Sequence, residues 1–235
     1  MKTFNFFKTT GQLIILILLI VFLILIAKIE LISDSILNSF VALVLYVLGI
    51  ILSVFLIRKF LKVDLTFSRL NRFDWKVIVQ NYISQIILIS FIFGLMMLFK
   101  LNGANVNQKN IVTEFLGSNP FSLFCFIFTT VVLAPIFEEL VFRAFLMNVF
   151  SRKSLTITSS VISATAFSFL HLPGYFISLD NLYPFLIYFV IGLSFATAYR
   201  QTKKISASIV LHGMNNLFST GLILFTMWLE HLASA

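Results

Sequence analysis

The amino-acid sequence predicts an all-α, polytopic transmembrane bundle, and three observations carry that prediction. Of the 235 residues, 60% are hydrophobic and only 11% are charged. The mean hydropathy of +1.03 exceeds what a water-soluble domain of this length can bury in a core. The apolar residues also fall into runs of about 20, the length that crosses a hydrocarbon layer as α-helix. Short connections between these runs hold nearly all of the Lys and Arg. The formal charge of +8 does not point to nucleic acid, because that function needs cations clustered on one face of a soluble fold.

Seven spans are expected, at residues 12–27, 36–57, 77–99, 121–149, 156–172, 182–199 and 205–229; one further span would make eight. The first follows Lys2 and Lys8 as a signal peptide would, but it runs on to Lys28 without a small-x-small cleavage site, so it is read as a retained span. The second ends at Arg58 and Lys59. Residues 58–76 then mix Lys and Arg with Leu61, Val63, Leu65, Phe67, Leu70, Phe73 and Trp75. That composition suits either a segment lying along an anionic leaflet or a plain topology-setting loop. The third span carries the amides Asn81 and Gln85, and the polar 102–120 connection shows no chemistry. The fourth holds the only cysteine, Cys125, read as a small buried hydrophobe. The fifth ends just before Pro173 and Gly174.

Loop charge predicts orientation, because Lys and Arg collect on the cytoplasmic side. With the N-terminus inside, cytoplasmic segments hold Lys2, Lys8, Arg58, Lys59, Lys62, Arg69, Arg72, Lys76, Arg152, Lys153, Arg200, Lys203 and Lys204, against Lys28, Lys100 and Lys109 outside. The expected protein is a multi-pass protein of the plasma membrane, N-terminus in and C-terminus out for seven spans. No repeat or hydrophilic block divides it into separate domains. Within one structural domain, residues 1–120 supply the N-terminal helices and residues 121–235 contain every reactive group.

Those groups are Glu138, Glu139 and Arg143 in the fourth span, His171 at the end of the fifth, and His212 with Asn216 in the seventh. An ionisable side chain at membrane depth costs about 2.5–3.5 kcal/mol on insertion scales, so it is a functional hypothesis by default. Glu139 and Arg143 stand four residues apart and can pair on one helix face, whereas Glu138 points roughly 100° away and lacks that partner. Asn216 shares a helix face with His212, and Asn215 is a close second. Singly, each group has a bland reading: a structural ion pair, an interfacial histidine, an Asn bonding two helices. Together, a carboxylate, two imidazoles and an amide are the parts that activate water and stabilise an oxyanion.

The motifs Glu-Glu-x-x-x-Arg at 138–143, Phe-x-x-x-His at 167–171 and His-x-x-x-Asn at 212–216 resemble the three ordered motifs of the CPBP family. That family includes type II CAAX prenyl endopeptidases and the Abi proteins associated with bacteriocin self-immunity. The resemblance covers about residues 121–222. It implies an intramembrane endopeptidase in which Glu138 and His171 activate the attacking water, and His212 and Asn216 bind the oxyanion. Glu139 and Arg143 would be a supporting pair. The family is often labelled a metalloprotease, and Glu138, Glu139, His171 and His212 suit zinc in kind. The sequence lacks a His-Glu-x-x-His helix, however, so a metal-free, glutamate-dependent mechanism is preferred, with Zn on Glu138, His171 and His212 the alternative. The partners implied are the bilayer and a membrane-associated peptide or protein substrate, not nucleic acid. Nothing in the sequence sets the oligomeric state or prenyl dependence.

Two readings from other classes compete: a non-catalytic membrane immunity or scaffold protein, and a proton-coupled transporter. The transporter is disfavoured because the reactive groups occupy one half of the chain, not two related halves. One geometric expectation conflicts with a shared site. At about 1.5 Å per residue, Glu138 lies roughly 18 Å from the cytoplasmic end of its span, His171 roughly 25 Å and His212 roughly 9 Å. Convergence therefore requires tilt, displaced helix ends or a re-entrant segment.

Overall fold

The computed structural model describes residues 6–32, 36–63, 65, 67–99, 119–150, 154–178 and 181–234. The expectations for the N-terminal Lys2, for Arg152 and Lys153, and for most of the 102–120 connection lie outside them. The described residues form seven helices in sequence. They are α1 (Phe6–Ile32), α2 (Ile36–Leu56, continued by π-turns over Ile57–Leu61), α3 (Arg72–Leu98), α4 (residues 120–150), α5 (Ile157–Leu170), α6 (Leu182–Thr202) and α7 (Ile205–Ser234).

Six of the seven, all but α5, are long and apolar enough to cross a membrane, as a multi-pass protein requires. Residues 156–172, expected from hydropathy to form a full span, do not. Helix α5 has 14 residues and rises only about 21 Å against a hydrocarbon thickness of ~30 Å. Both of its ends have local causes. Thr156 and Ser159 form a capping box at its start, through Ser159 N–H to Thr156 Oγ1 (3.0 Å) and Thr156 N–H to Ser159 Oγ (3.1 Å). Leu172 then turns extended ahead of Pro173, and Gly174 takes φ 68, which a residue with a Cβ rarely adopts.

The basic connections meet at one end of the bundle. Gln12 of α1 donates to Phe60 O at 2.9 Å. Lys204, between α6 and α7, reaches Asp74 of α3 at 2.7 Å and Arg69 O at 3.2 Å, and Ser206 donates to Ser68 O at 3.2 Å. The 58–76 connection therefore docks on the bundle, with Leu65 buried, while Phe67, Phe73 and Trp75 remain exposed. Asp74 also closes the capping box of α3 with Asn71.

Helix α4 is not a regular α-helix. It begins at an Asn119 cap followed by Pro120, and π-helical turns over Thr129–Leu133 and Leu140–Leu146 flank a single α-helical stretch, Ala134–Glu139. The bonds Ala134 N–H to Thr129 O and Met147 N–H to Phe142 O each span five residues. Such widening frees carbonyls that cannot be left bare at membrane depth. Side chains bond carbonyls along this stretch: Asn216 donates to Thr130 O (2.9 Å), Ser163 adds a second bond to Phe142 O (2.9 Å) and Asn148 donates to Ala144 O (2.9 Å). Cys125 is buried in α4, as expected.

Candidate active site

Glu139 is the hub. Its carboxylate has no exposed surface and engages three side chains from two helices. Arg143 Nη1 lies 3.0 Å from Oε1, His212 Nδ1 lies 2.9 Å from the same oxygen, and Ser208 donates to Oε2. The pairing of Glu139 with Arg143 expected from their spacing is therefore present.

Arg143 is fully buried, and its charge is met by more than the Glu139 carboxylate. Nη2 donates to Gly192 O of α6 at 2.9 Å, and the guanidinium carbon sits 4.8 Å from the Phe167 ring centroid and 5.5 Å from that of Phe195. Aromatic faces carry negative potential and so stabilise a cation where water is excluded. The approach of α6 depends on Gly192, since a Cβ there would stand 3.1 Å from the Phe167 ring and 3.2 Å from Ala164 Cα.

His212 lies between the two adjacent glutamates. Its Nδ1 addresses Glu139, while Nε2 stands 3.9 Å from Glu138 Oε2, and its ring stacks on Phe195 at a centroid distance of 4.4 Å. The angular step between consecutive helical residues thus places one carboxylate on each ring nitrogen. Glu138 is more open than Glu139. Yet its Oε2 is enclosed and has no hydrogen-bond partner among the described residues.

His171 caps the C-terminus of α5. Its Nδ1 bonds to Phe167 O at 2.8 Å, which assigns the hydrogen to Nδ1 and leaves Nε2 as an acceptor. The ring lies between Phe167 and Tyr188, with centroids 4.3 and 4.4 Å away. Phe167 also touches His212, with ring centroids 5.7 Å apart. The two histidines, whose depths disagree when counted along their helices, therefore meet around Phe167, and Glu138 stands 3.9 Å from the second of them. The short α5 and the π-turns of α4 break the assumption behind that count.

Asn216 lies one turn further along α7, where it donates to Thr130 O and accepts from Asn215. Its Nδ2 keeps a second hydrogen. Ser208, the Gly192 carbonyl and Tyr188 join the site without having been expected there from the sequence. Ser208 left a signal, because it stands four residues before His212 and so shares its helix face. Among the described residues, no three His, Cys, Asp or Glu side chains are grouped to hold a metal ion. The Nδ1 atoms of both histidines are already engaged, by Glu139 and by Phe167 O. Nε2 is left free on each ring, and a held Nδ1–H is the usual state of a zinc-binding histidine, so what the zinc alternative on Glu138, His171 and His212 lacks here is the grouping of the three side chains.

Residues 119–218 match a family profile described as "Rce1-like: Type II CAAX prenyl endopeptidase Rce1-like". The UPF0177 protein YbdJ of Lactococcus lactis subsp. lactis (strain IL1403) is 36% identical over 89 residues, which cover 38% of this chain and 35% of that protein. The matched stretch thus spans about a third of the length of that curated relative. No solved structure gives a significant match.

Proposed function

Because residues 119–218 are a domain of the Rce1-like type II CAAX prenyl endopeptidase family, we propose that this protein is an intramembrane endopeptidase that cleaves a membrane-associated peptide or protein through a metal-free, glutamate-dependent mechanism. The observation that carries the reading is the enclosed, unpartnered Glu138 Oε2, beside two imidazoles whose Nδ1 atoms are both engaged.

In this mechanism a water bonds to Glu138 Oε2 and His171 Nε2; Glu138 takes its proton as the water oxygen attacks the scissile carbonyl carbon, and returns that proton to the amide nitrogen as the C–N bond breaks and the amine product leaves. Negative charge then develops on the carbonyl oxygen, and donors already aimed at that position lower the barrier without reorganisation. His212 Nε2–H and the second Asn216 amide hydrogen serve as those donors. For Nε2 to donate while Nδ1 bonds Glu139, the His212 ring must carry both hydrogens. Glu139 and Arg143 hold the His212 ring and touch no reacting atom. The active orientation has the N-terminus and the basic connections on the cytoplasmic side, by the distribution of Lys and Arg.

The test compares peptides in membranes bearing the intact protein with those bearing Glu138→Gln at equal abundance. The expected result is a substrate cleaved only with the intact protein, with a rate loss of about 10² to 10⁴-fold for the variant. Equal processing by Glu138→Gln rejects the assignment.

A further inference from the structure

The N-terminal half reaches the site through a chain of amides. Gln85 of α3, only 3% exposed, places Nε2 at 2.6 Å from Asn215 Oδ1. Asn215 Nδ2 lies 3.2 Å from Asn216 Oδ1, and Asn216 Nδ2 lies 2.9 Å from Thr130 O.

A backbone carbonyl can only accept, and this fixes the sense of every link. Asn216 must present its NH₂ to Thr130, so its Oδ1 faces away and accepts. Asn215 must then donate to it, and Gln85 must donate to Asn215. Gln85 Oε1 has no partner among the described residues, so donation to Asn215 is the bond that ties this buried amide to α7. Three aligned amides polarise one another in one direction, which raises the cost of turning any of them over. The orientation matters because an Asn216 turned by 180° would offer its carbonyl oxygen, not N–H, to a developing oxyanion.

We propose that Gln85 is a positioning residue for the peptidase reaction: through Asn215 it locks the Asn216 amide with its donor toward the oxyanion. This rests on the endopeptidase reading above. It also extends the machinery beyond residues 119–218 into a helix that the family match does not cover.

The experiment uses the purified full-length protein in detergent and an internally quenched peptide built on the bond whose cleavage depends on Glu138. Gln85→Met keeps the volume but cannot donate. It should lower kcat about tenfold and leave KM within about twofold, because an oxyanion donor acts in the transition state. Asn215→Leu breaks the next link and should match it, which also serves if Gln85→Met fails to insert. In an Asn216→Ala background, Gln85→Met should cost nothing further. Wild-type kcat in both single variants, or an undiminished loss in the Asn216→Ala background, overturns the positioning role while Glu138→Gln remains inactive. Activity in Glu138→Gln overturns the peptidase reading itself.

Discussion

Helices α1 to α3 and helices α4 to α7 meet the same requirement, an apolar surface in lipid, in opposite ways. The first three present long rows of exposed Ile, Leu, Val and Phe, and α3 hides little besides Asp74, Val77, Ile78 and Gln85. The later helices bury an arginine, a glutamate and a histidine, interrupt α4 with two π-helical stretches and cut α5 short. Regular helix is the cheapest way to satisfy a backbone in hydrocarbon. Apart from the π-turns that end α2, departures from it gather around the charged cluster, where side chains of Asn148, Ser163 and Asn216 bond carbonyls of α4. Irregularity in this protein is thus spent where charges must be aimed.

The sharpest way to break this contrast is Arg143→Leu, which strands the Glu139 carboxylate without its cation. Breaking a buried pair by removing one partner costs about 3–5 kcal/mol, so a large drop in thermal unfolding temperature in detergent is expected. Next comes Gly192→Ala, which forces α6 away from Phe167 and Ala164 and disturbs the carbonyl that receives Arg143. Overpacking of this kind costs about 1–3 kcal/mol by the same measurement. Ser208→Ala removes one of the bonds holding Glu139 and should destabilise by about 1–3 kcal/mol; it should also slow cleavage if the His212 ring loses its orientation. The control is Gly94→Ala in α3, where an added Cβ meets nothing within 4 Å. It should move stability by less than about 1 kcal/mol, and in the stabilising direction, because Ala is the better helix former. Equal losses at Gly94 and Gly192 would remove the distinction between the two regions.

Much of this organisation is legible without coordinates. Hydropathy runs locate the long helices to within a few residues, because crossing lipid demands both length and composition. Four-residue spacing pairs Glu139 with Arg143 and relates His212 to Asn216, because helix geometry is local. What the sequence by itself determined is therefore the helical class, the membrane-depth charges and the motif residues, all of which follow from the nearest few neighbours along the chain. It misjudged one thing, since α5 falls short of the span expected at 156–172, and left two open: that one histidine ring bridges two adjacent carboxylates, and that Gln85 touches the site from 130 residues away. Only the tertiary structure decided these. Each depends on how far a π-turn rotates α4, how closely α6 approaches α5 at Gly192 and how closely α7 approaches α4 at Gly213, distances set by packing between helices that carry no mark in any one of them.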